Sequence, residues 1–231
     1  VLYAADLLTT TATHWSFFGT AGEDSFVFED AAGRVTVNGI SYQLPTAVAG
    51  VSFTGGDGRD RAVLQSSRGH EFVSISSDGA TLSHSGRTVS VNGTEVISAQ
   101  VSSSGVGELI DSPGDDRVEL RPNEGRIFGP GFEHQLMGPA VIHAYSRNGG
   151  RDSAVLNDSP SDDQATLQPG QTVVRGSGFY NRAKLFASVA VVSASGGFDN
   201  GLVIGSAGDD YLRGDLTGIR MTTPGADLSA S

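Results

Sequence analysis

The chain has 231 residues and a formal net charge of −11, from 26 acidic and 15 basic side chains. This charge disfavours nucleic acid as a partner, because binding a phosphate backbone requires clustered cations. The absence of cysteine excludes disulfides and thiolate metal sites, and no apolar run approaches the length that would predict membrane insertion.

Residues 1–18 come before the regular pattern and are predicted to be an N-terminal cap or the end of a preceding repeat. Val1–Tyr3 are similar to the end of a repeat further along the chain, so we expect the chain to be part of a longer protein. Trp15, Phe17 and Phe18 form an apolar cluster that could cap the first turn of the fold.

The organising feature of the sequence is an acidic turn with a central glycine, GTAGEDSFV at Gly19–Val27, here called the motif turn. Its later copies are SSRGHEFVS at Ser66–Ser74, DSPGDDRVE at Asp111–Glu119, DSPSDDQAT at Asp158–Thr166 and GSAGDDYLR at Gly205–Arg213. The fourth positions of successive copies are 47, 45, 47 and 47 residues apart, and such a period is typical of a solenoid, a propeller or an array. We therefore predict a repeat domain, 19–213, followed by a C-terminal tail, 214–231. The repeats are 19–65, 66–110, 111–157, 158–204 and a partial fifth, 205–213.

Within each repeat, short stretches of alternating apolar and polar residues predict β-strands, because successive side chains of a strand point to opposite faces. Phe26 and Phe28 show this alternation, and turn signals such as Asn38-Gly39 separate the segments. No segment has a sustained 3.6-residue period. The sequence therefore predicts an all-β fold.

A second turn, rich in glycine, ends nine residues before the fourth position of the next motif turn. It reads GGDGRD ending at Asp60, NGGRD ending at Asp152 and SGGFD ending at Asp199. In the second repeat, Gly105 occupies the place of the aspartate. This second regularity supports the same repeat boundaries.

Two architectures fit a unit of about 46 residues with four to six short strands. The first is a right-handed parallel β-helix in which each repeat makes two coils of about 23 residues, and the second is a five-bladed β-propeller. Short strands, a two-residue deletion between Gly69 and Gly114, and ends that look open favour the β-helix.

The motif turns at Gly19–Val27 and Gly205–Arg213 resemble the nonapeptide GGxGxDxUx of repeats-in-toxin (haemolysin-type calcium-binding) proteins. The whole unit is similar to long repeats in large secreted proteins of planctomycetes and related bacteria, through RVTVNGISY at Arg34 and GGDGRDRAVL at Gly55. The resemblance implies a bacterial protein located outside the cell or at the cell surface.

The resemblance also implies calcium, held by carbonyl groups of the glycine turn and by aspartate. The aspartates at the matching positions are Asp24, Asp60, Asp116, Asp163 and Asp210. With two coils per repeat, equivalent aspartates would lie about 9.6 Å apart, too far to share an ion. The alternative is that these side chains accept hydrogen bonds from backbone amides of their own tight turns.

The third repeat carries a local cluster of mixed chemistry: His134, His143, Tyr145, Arg147 and Asp152. On a β-helix, His143, Tyr145 and Asp152 are candidates for the catalytic residues of a polysaccharide lyase or glycoside hydrolase. The matching positions of the fourth repeat are Asn181, Ala190, Val192, Ala194 and Asp199. Such divergence marks either a site or drift on a solvated face.

Taken together, these patterns predict a non-catalytic structural or adhesive segment of a larger bacterial secreted or cell-surface protein. A solenoid suits this role, because each coil contacts only its neighbours and the lateral faces offer long binding surfaces. A polysaccharide or another surface protein is the expected partner. A carbohydrate-active enzyme on the same scaffold is the alternative.

Overall fold

The computed structural model describes residues 7–215 and 218–231, so the predicted resemblance of Val1–Tyr3 to a repeat end lies outside the described residues. The described residues form twenty-five β-strands. The first ten are β1 (Leu8–Thr10), β2 (His14–Phe18), β3 (Ser25–Glu29), β4 (Arg34–Val37), β5 (Ile40–Gln43), β6 (Gly50–Thr54), β7 (Arg61–Gln65), β8 (Phe72–Ser76), β9 (Gly79–His84) and β10 (Arg87–Asn92). The next ten are β11 (Val96–Gln100), β12 (Val106–Ile110), β13 (Arg117–Arg121), β14 (Glu124–Gly129), β15 (Phe132–Met137), β16 (Val141–Tyr145), β17 (Ser153–Asn157), β18 (Gln164–Gln168), β19 (Gln171–Gly176) and β20 (Phe179–Lys184). The last five are β21 (Ser188–Val192), β22 (Asn200–Val203), β23 (Tyr211–Asp215), β24 (Gly218–Thr223) and β25 (Ala226–Ala230).

The strands form where apolar and polar residues alternate. In β3, Phe26 and Phe28 are fully buried, whereas Ser25 between the turn and the core is exposed. The same in-and-out pattern recurs in β13, β17 and β21. Among the described residues, no helix is long and apolar enough to cross a bilayer.

The chain divides into two compact units, and the first comprises the described part of Val1–Gly107 together with Gly131–Pro139. One of its stacks has the strand order β1-β2-β6-β10-β9-β8, and the other has the order β15-β11-β7-β3-β4-β5. Strands β2, β6 and β10 pair in parallel, and so do β3, β7, β11 and β15. Phe26 of β3 stacks on Phe53 of β6 with ring centroids 4.9 Å apart, so the two stacks face each other across an apolar core.

The second unit comprises Glu108–Pro130 and Ala140–Ser231. Its two stacks have the orders β16-β20-β19-β18-β22 and β23-β24-β25-β21-β17-β13-β14. Parallel pairs again join β16 to β20, β18 to β22, and β13 through β17 and β21 to β25. The architecture is a β-solenoid of stacked parallel strands, as predicted for a right-handed β-helix, and the propeller alternative is wrong.

One turn of the solenoid spans about 36 residues. Ser25 pairs with Arg61, and Arg117 pairs with Ser153, in each case 36 residues later. The prediction of two coils of about 23 residues per repeat is therefore wrong. The reason is a three-strand meander in every turn, because the chain reverses twice within one stack before it crosses to the other.

The first meander, β3 to β5, shows how the chain reverses. Asn38 and Gly39 connect β4 to β5 with φ values of 50° and 80°, as a two-residue hairpin of type I′ requires. Later meanders within a single unit are β8–β10, β18–β20 and β23–β25.

The predicted C-terminal tail continues the last meander. Its strands β24 and β25 pair antiparallel with each other, and β24 pairs with β23. Met221 and Leu228 are buried at matching core positions, whereas Leu212 in the same register is 60% exposed. Leu212 is exposed because β23 is the outermost strand of its stack.

Candidate functional site

The motif turn is closed by its own aspartate. In the first copy, Asp24 Oδ2 accepts hydrogen bonds from Thr20 N at 2.6 Å and from Thr20 Oγ1 at 3.1 Å, while Gly22 N donates to Thr20 Oγ1 at 3.1 Å. The same three groups are joined in three later copies, through the pairs Ser112/Asp116, Ser159/Asp163 and Ser206/Asp210. Sequence reasoning missed the hydroxyl at the second motif position, although a threonine or serine occupies it in every copy.

The second turn binds the motif turn of the preceding solenoid turn. Asp152 Oδ1 accepts a hydrogen bond from Asp116 N at 2.7 Å, and Ser146 Oγ donates to Asp152 Oδ2 at 2.6 Å. Asp60 accepts likewise from Asp24 N at 2.8 Å, and Asp199 accepts from Asp163 N at 2.9 Å. Each pair is 36 residues apart, and we call this contact the turn interlock.

Glycine makes the close approach within the interlock possible. Gly150, two residues before Asp152, has a φ of 78°, and a Cβ there would lie 2.0 Å from Gly114 O of the motif turn. Gly58 and Gly197 hold the equivalent positions, with Cβ distances of 2.6 Å and 2.4 Å to carbonyl oxygens. A larger residue at these positions would separate the two turns.

Other backbone amides of the second turn donate to acids of the motif turn. Arg147 N and Asn148 N donate to Asp111 Oδ2 at 2.8 Å and 2.7 Å, and Arg151 N donates to Asp115 Oδ1 at 2.8 Å. Hydrogen bonds to ionised acceptors contribute more than neutral ones, about 1.5–3 kcal/mol each. The acidic residues of the third repeat therefore serve mainly to join successive turns.

Burial and neighbouring carboxylates raise the pKa of two aspartates of the interlock. Burial raises the pKa of Asp60, as do the charges of Asp24 and Glu95. Burial likewise raises the pKa of Asp116, as does the charge of Asp152. The backbone N–H donors oppose this rise, so the hydrogen bonds keep the acids together in spite of their repulsion.

The second repeat lacks both interlock aspartates, yet its motif turn is still hydrogen-bonded to the next solenoid turn. Glu71 occupies the motif position, and it accepts hydrogen bonds from Gly69 N at 3.0 Å and from Ser102 Oγ at 2.5 Å, the latter in the next solenoid turn. Burial raises the pKa of Glu71, but these hydrogen bonds outweigh burial and lower it to about 2. Gly105 has no carboxylate to accept a hydrogen bond from the motif turn. The longer side chain of Glu71 replaces that link by accepting a hydrogen bond from Ser102.

The residues predicted to bind calcium are thus placed in turns where their oxygens accept hydrogen bonds from N–H and O–H donors, except Asp60 Oδ2, which is buried without a hydrogen-bond partner among the described residues. Calcium prefers six to eight oxygen ligands at about 2.3–2.6 Å. Among residues 7–215 and 218–231, no three His, Asp or Glu side chains are arranged to hold a metal ion. Calcium binding by Asp24, Asp60, Asp116, Asp163 and Asp210 stays a prediction.

The three candidate catalytic residues do not form one group. His143 and Tyr145 lie half-buried on the outer side of β16, with ring centroids 6.4 Å apart. Asp152 is buried in the interlock, where both of its oxygens accept hydrogen bonds. His143 Nδ1 is buried without a hydrogen-bond partner among the described residues, so no His–Asp pair forms.

His134 belongs to the core of the first unit. It is fully buried on β15, accepts a hydrogen bond from Ile97 N through Nδ1 at 3.1 Å, and packs on Phe132 with ring centroids 4.9 Å apart. Burial lowers the pKa of His134 to about 4. At the matching position of the fourth repeat, Asn181 is buried and donates to Arg121 O at 2.8 Å.

A cluster that sequence reasoning found only in part lies on the outer side of β16 and β20. We call it the basic–aromatic face, and its residues are His143, Tyr145, Arg147, Tyr180, Arg182 and Lys184. The sequence grouped the first three of these but not the three from β20. Arg182 Nη2 donates to Tyr145 Oη at 3.0 Å, and Arg147 Cζ lies 4.9 Å from the centroid of the Tyr145 ring. Burial lowers the pKa of His143, as do the charges of Arg182 and Lys184. The available signal was the spacing of two between residues 180, 182 and 184, which ends at the only lysine of the chain.

Comparison of the chain with protein-family models, curated protein sequences and solved structures finds no match. A fold by itself does not determine a function, because the same scaffold supports different sites. The turn interlock and the basic–aromatic face are the two features of this chain that bear on its function.

We expect Asp152→Ala to lower the free energy of unfolding by about 2–3 kcal/mol, because Asp116 N and Ser146 Oγ lose a charged acceptor. Asp152→Asn should cost less, since it keeps an acceptor and removes a repelling charge. Urea denaturation measures both, with exposed Asp57→Ala as the control. A loss in Asp152→Ala no larger than in the control would contradict the interlock.

We expect the melting temperature to be the same in excess calcium and in a chelator, because the turn carboxylates already accept hydrogen bonds. An ion that binds only the folded state would stabilise it by about 2.7 kcal/mol at a concentration of 100 Kd. Calorimetry with calcium, magnesium and chelator makes the comparison. A rise specific to calcium that disappears in Asp116→Asn would establish the calcium assignment.

We expect His134 to make the fold sensitive to acid. Its folded pKa, about 4, is below the ordinary 6.5, so its contribution is fully present above pH 6.5 and is lost as the pH falls towards 4. The loss amounts to about 3 kcal/mol. His134→Asn, which copies the fourth repeat, should remove this part of the pH dependence, whereas exposed His14→Asn should retain it. Equal pH slopes in the two variants, measured by urea denaturation, would refute the assignment.

Proposed function

We propose that the chain is a non-catalytic structural or adhesive repeat segment of a larger bacterial secreted or cell-surface protein. The observation that carries the proposal is the turn interlock, in which carboxylates of one turn accept hydrogen bonds from backbone N–H groups of another. In the sequence these acids are the main candidates for chemistry. In the structure they hold turns together.

The scaffold role is also supported by how each turn is stabilised. Within each unit, successive turns contact each other through parallel strands and through hydrogen bonds at the corner. Such a fold can be lengthened without a new core, which suits a spacer or a display surface. The interlock adds directional polar contacts to the apolar stack.

The alternative, a lyase or hydrolase, is favoured by the proximity of His143 and Tyr145 to Arg182. A histidine of lowered pKa is neutral at pH 7 and able to accept a proton. A hydrolase also needs two carboxylates about 5–9.5 Å apart. The candidate acid Asp152 is instead engaged with Asp116 N and Ser146 Oγ, which argues against this chemistry.

The experiment is a turnover screen on acidic and neutral polysaccharides, with detection of new reducing ends and of unsaturated uronide products. We expect no turnover by the wild-type chain. Turnover that is lost in His143→Ala and in Tyr145→Phe, but kept in the exposed control His14→Ala, would establish the enzyme and overturn the proposal.

A further inference from the structure

The basic–aromatic face carries positive charge that the molecule does not neutralise. Among the described residues, no carboxylate lies within 4.0 Å of a side-chain nitrogen of Arg147, Arg182 or Lys184. Some other arginines are paired, such as Arg34 with Glu29 and Arg87 with Asp30, whereas Arg61 has no such partner within the described part of the chain, so the face is distinguished by the closeness of its cations to one another. In a chain with a net charge of −11, three neighbouring cations without an acid partner form a local site for anions.

The register of β16 and β20 places the side chains of the basic–aromatic face next to one another across the two strands. His143 is paired with Arg182, and Tyr145 with Lys184, across β16 and β20. On the far side of β20, Tyr180 is paired with Arg175 of β19. From Tyr180 to Lys184 the outward positions cover roughly 13 Å along the strand.

A concavity continues the basic–aromatic face at its Tyr180 end. It has a volume of about 460 Å³, and its walls include Arg175, Phe179 and Tyr180. Arg175 is exposed and hydrogen-bonds to the Gln164 side-chain amide oxygen at 2.8 Å, not to an acid. The concavity therefore adds a fourth cation and an aromatic wall, together with one acid, Asp162, whose Oδ1 accepts a hydrogen bond from Phe198 N at 2.8 Å.

The backbone beneath the face is already hydrogen-bonded. Strand β20 lies between β16 and β19, so a peptide cannot bind here by adding a strand. A ligand must be recognised through side chains, by charge and by contact with the Tyr180 ring. Glu108 of β12 lies at an outward position on the strand next to β16, on the same face as His143. Among the described residues it forms no ion pair.

We propose that the basic–aromatic face binds a linear polysaccharide that carries carboxylate groups, that is, a polyuronate. Its carboxylates pair with Arg182, Lys184 and Arg147 through charge-assisted hydrogen bonds. Its apolar ring faces pack on Tyr180, since aromatic side chains combine large contact area with a polar tip. The site does not depend on the scaffold role.

The test is titration calorimetry of the wild-type chain with oligomers of polygalacturonate in the presence of a chelator. The matched neutral probe is the fully methyl-esterified oligomer, and polyglutamate is the acidic peptide probe. We expect binding of polygalacturonate alone, weakened about tenfold by Arg182→Met and by the double variant Arg147→Gln, Lys184→Gln. Exposed Arg61→Gln on β7 should leave the affinity unchanged.

Thermal denaturation of each variant separates loss of binding from loss of fold, and Arg182→Met keeps the aliphatic stem that packs beside Tyr145. Absence of polygalacturonate binding to the folded wild-type chain would overturn the proposal. Equal affinity for polyglutamate or for the methyl ester would also overturn it, as would variants that bind like wild type. None of these outcomes bears on turnover, so the scaffold proposal is judged separately.

Discussion

The structure depends on a carboxylate that accepts a backbone N–H from the turn 36 residues earlier. In the contact of Asp152 with Asp116, this hydrogen bond fixes both the separation and the register of two turns. Gly150 must then lack a side chain, because its Cα lies against a carbonyl of the motif turn. Burial and mutual repulsion oppose the arrangement by raising the pKa of Asp116, and N–H donors oppose that rise. A polar network is stable in this position because its donors and acceptors are matched.

Local structure was predictable from the sequence, whereas strand pairing was not. Alternation predicts β3, and Asn38-Gly39 is a turn signal at the place where the β4–β5 hairpin forms. The same dipeptide at Asn92-Gly93 ends β10 and leads out of the stack to β11. A dipeptide sets backbone angles but not the partner of the next strand. The sequence therefore does not show which turns reverse the chain within one stack, and it does not predict the 36-residue turn.

For the same reason, only part of the candidate site could be predicted from the sequence. The divergence of the third repeat from the fourth indicates His143 and Tyr145, which lie on β16. Their neighbours Arg182 and Lys184 come from β20, 39 residues later, and only the three-dimensional register shows that they are adjacent. Asp152, grouped with His143 by sequence, lies in the interlock because its turn is defined by glycine geometry. Acids thus concentrate at turn corners, and Arg182 and Lys184 lie beside His143 and Tyr145 on one outer face.

The 36-residue separation within each interlock also determines the order in which the protein can form during synthesis. A motif turn emerges from the ribosome well before the aspartate that completes it, so each corner waits for the next turn to be made. Contacts remain of constant sequence separation however many turns follow, so the entropic cost of closing each loop does not grow with chain length.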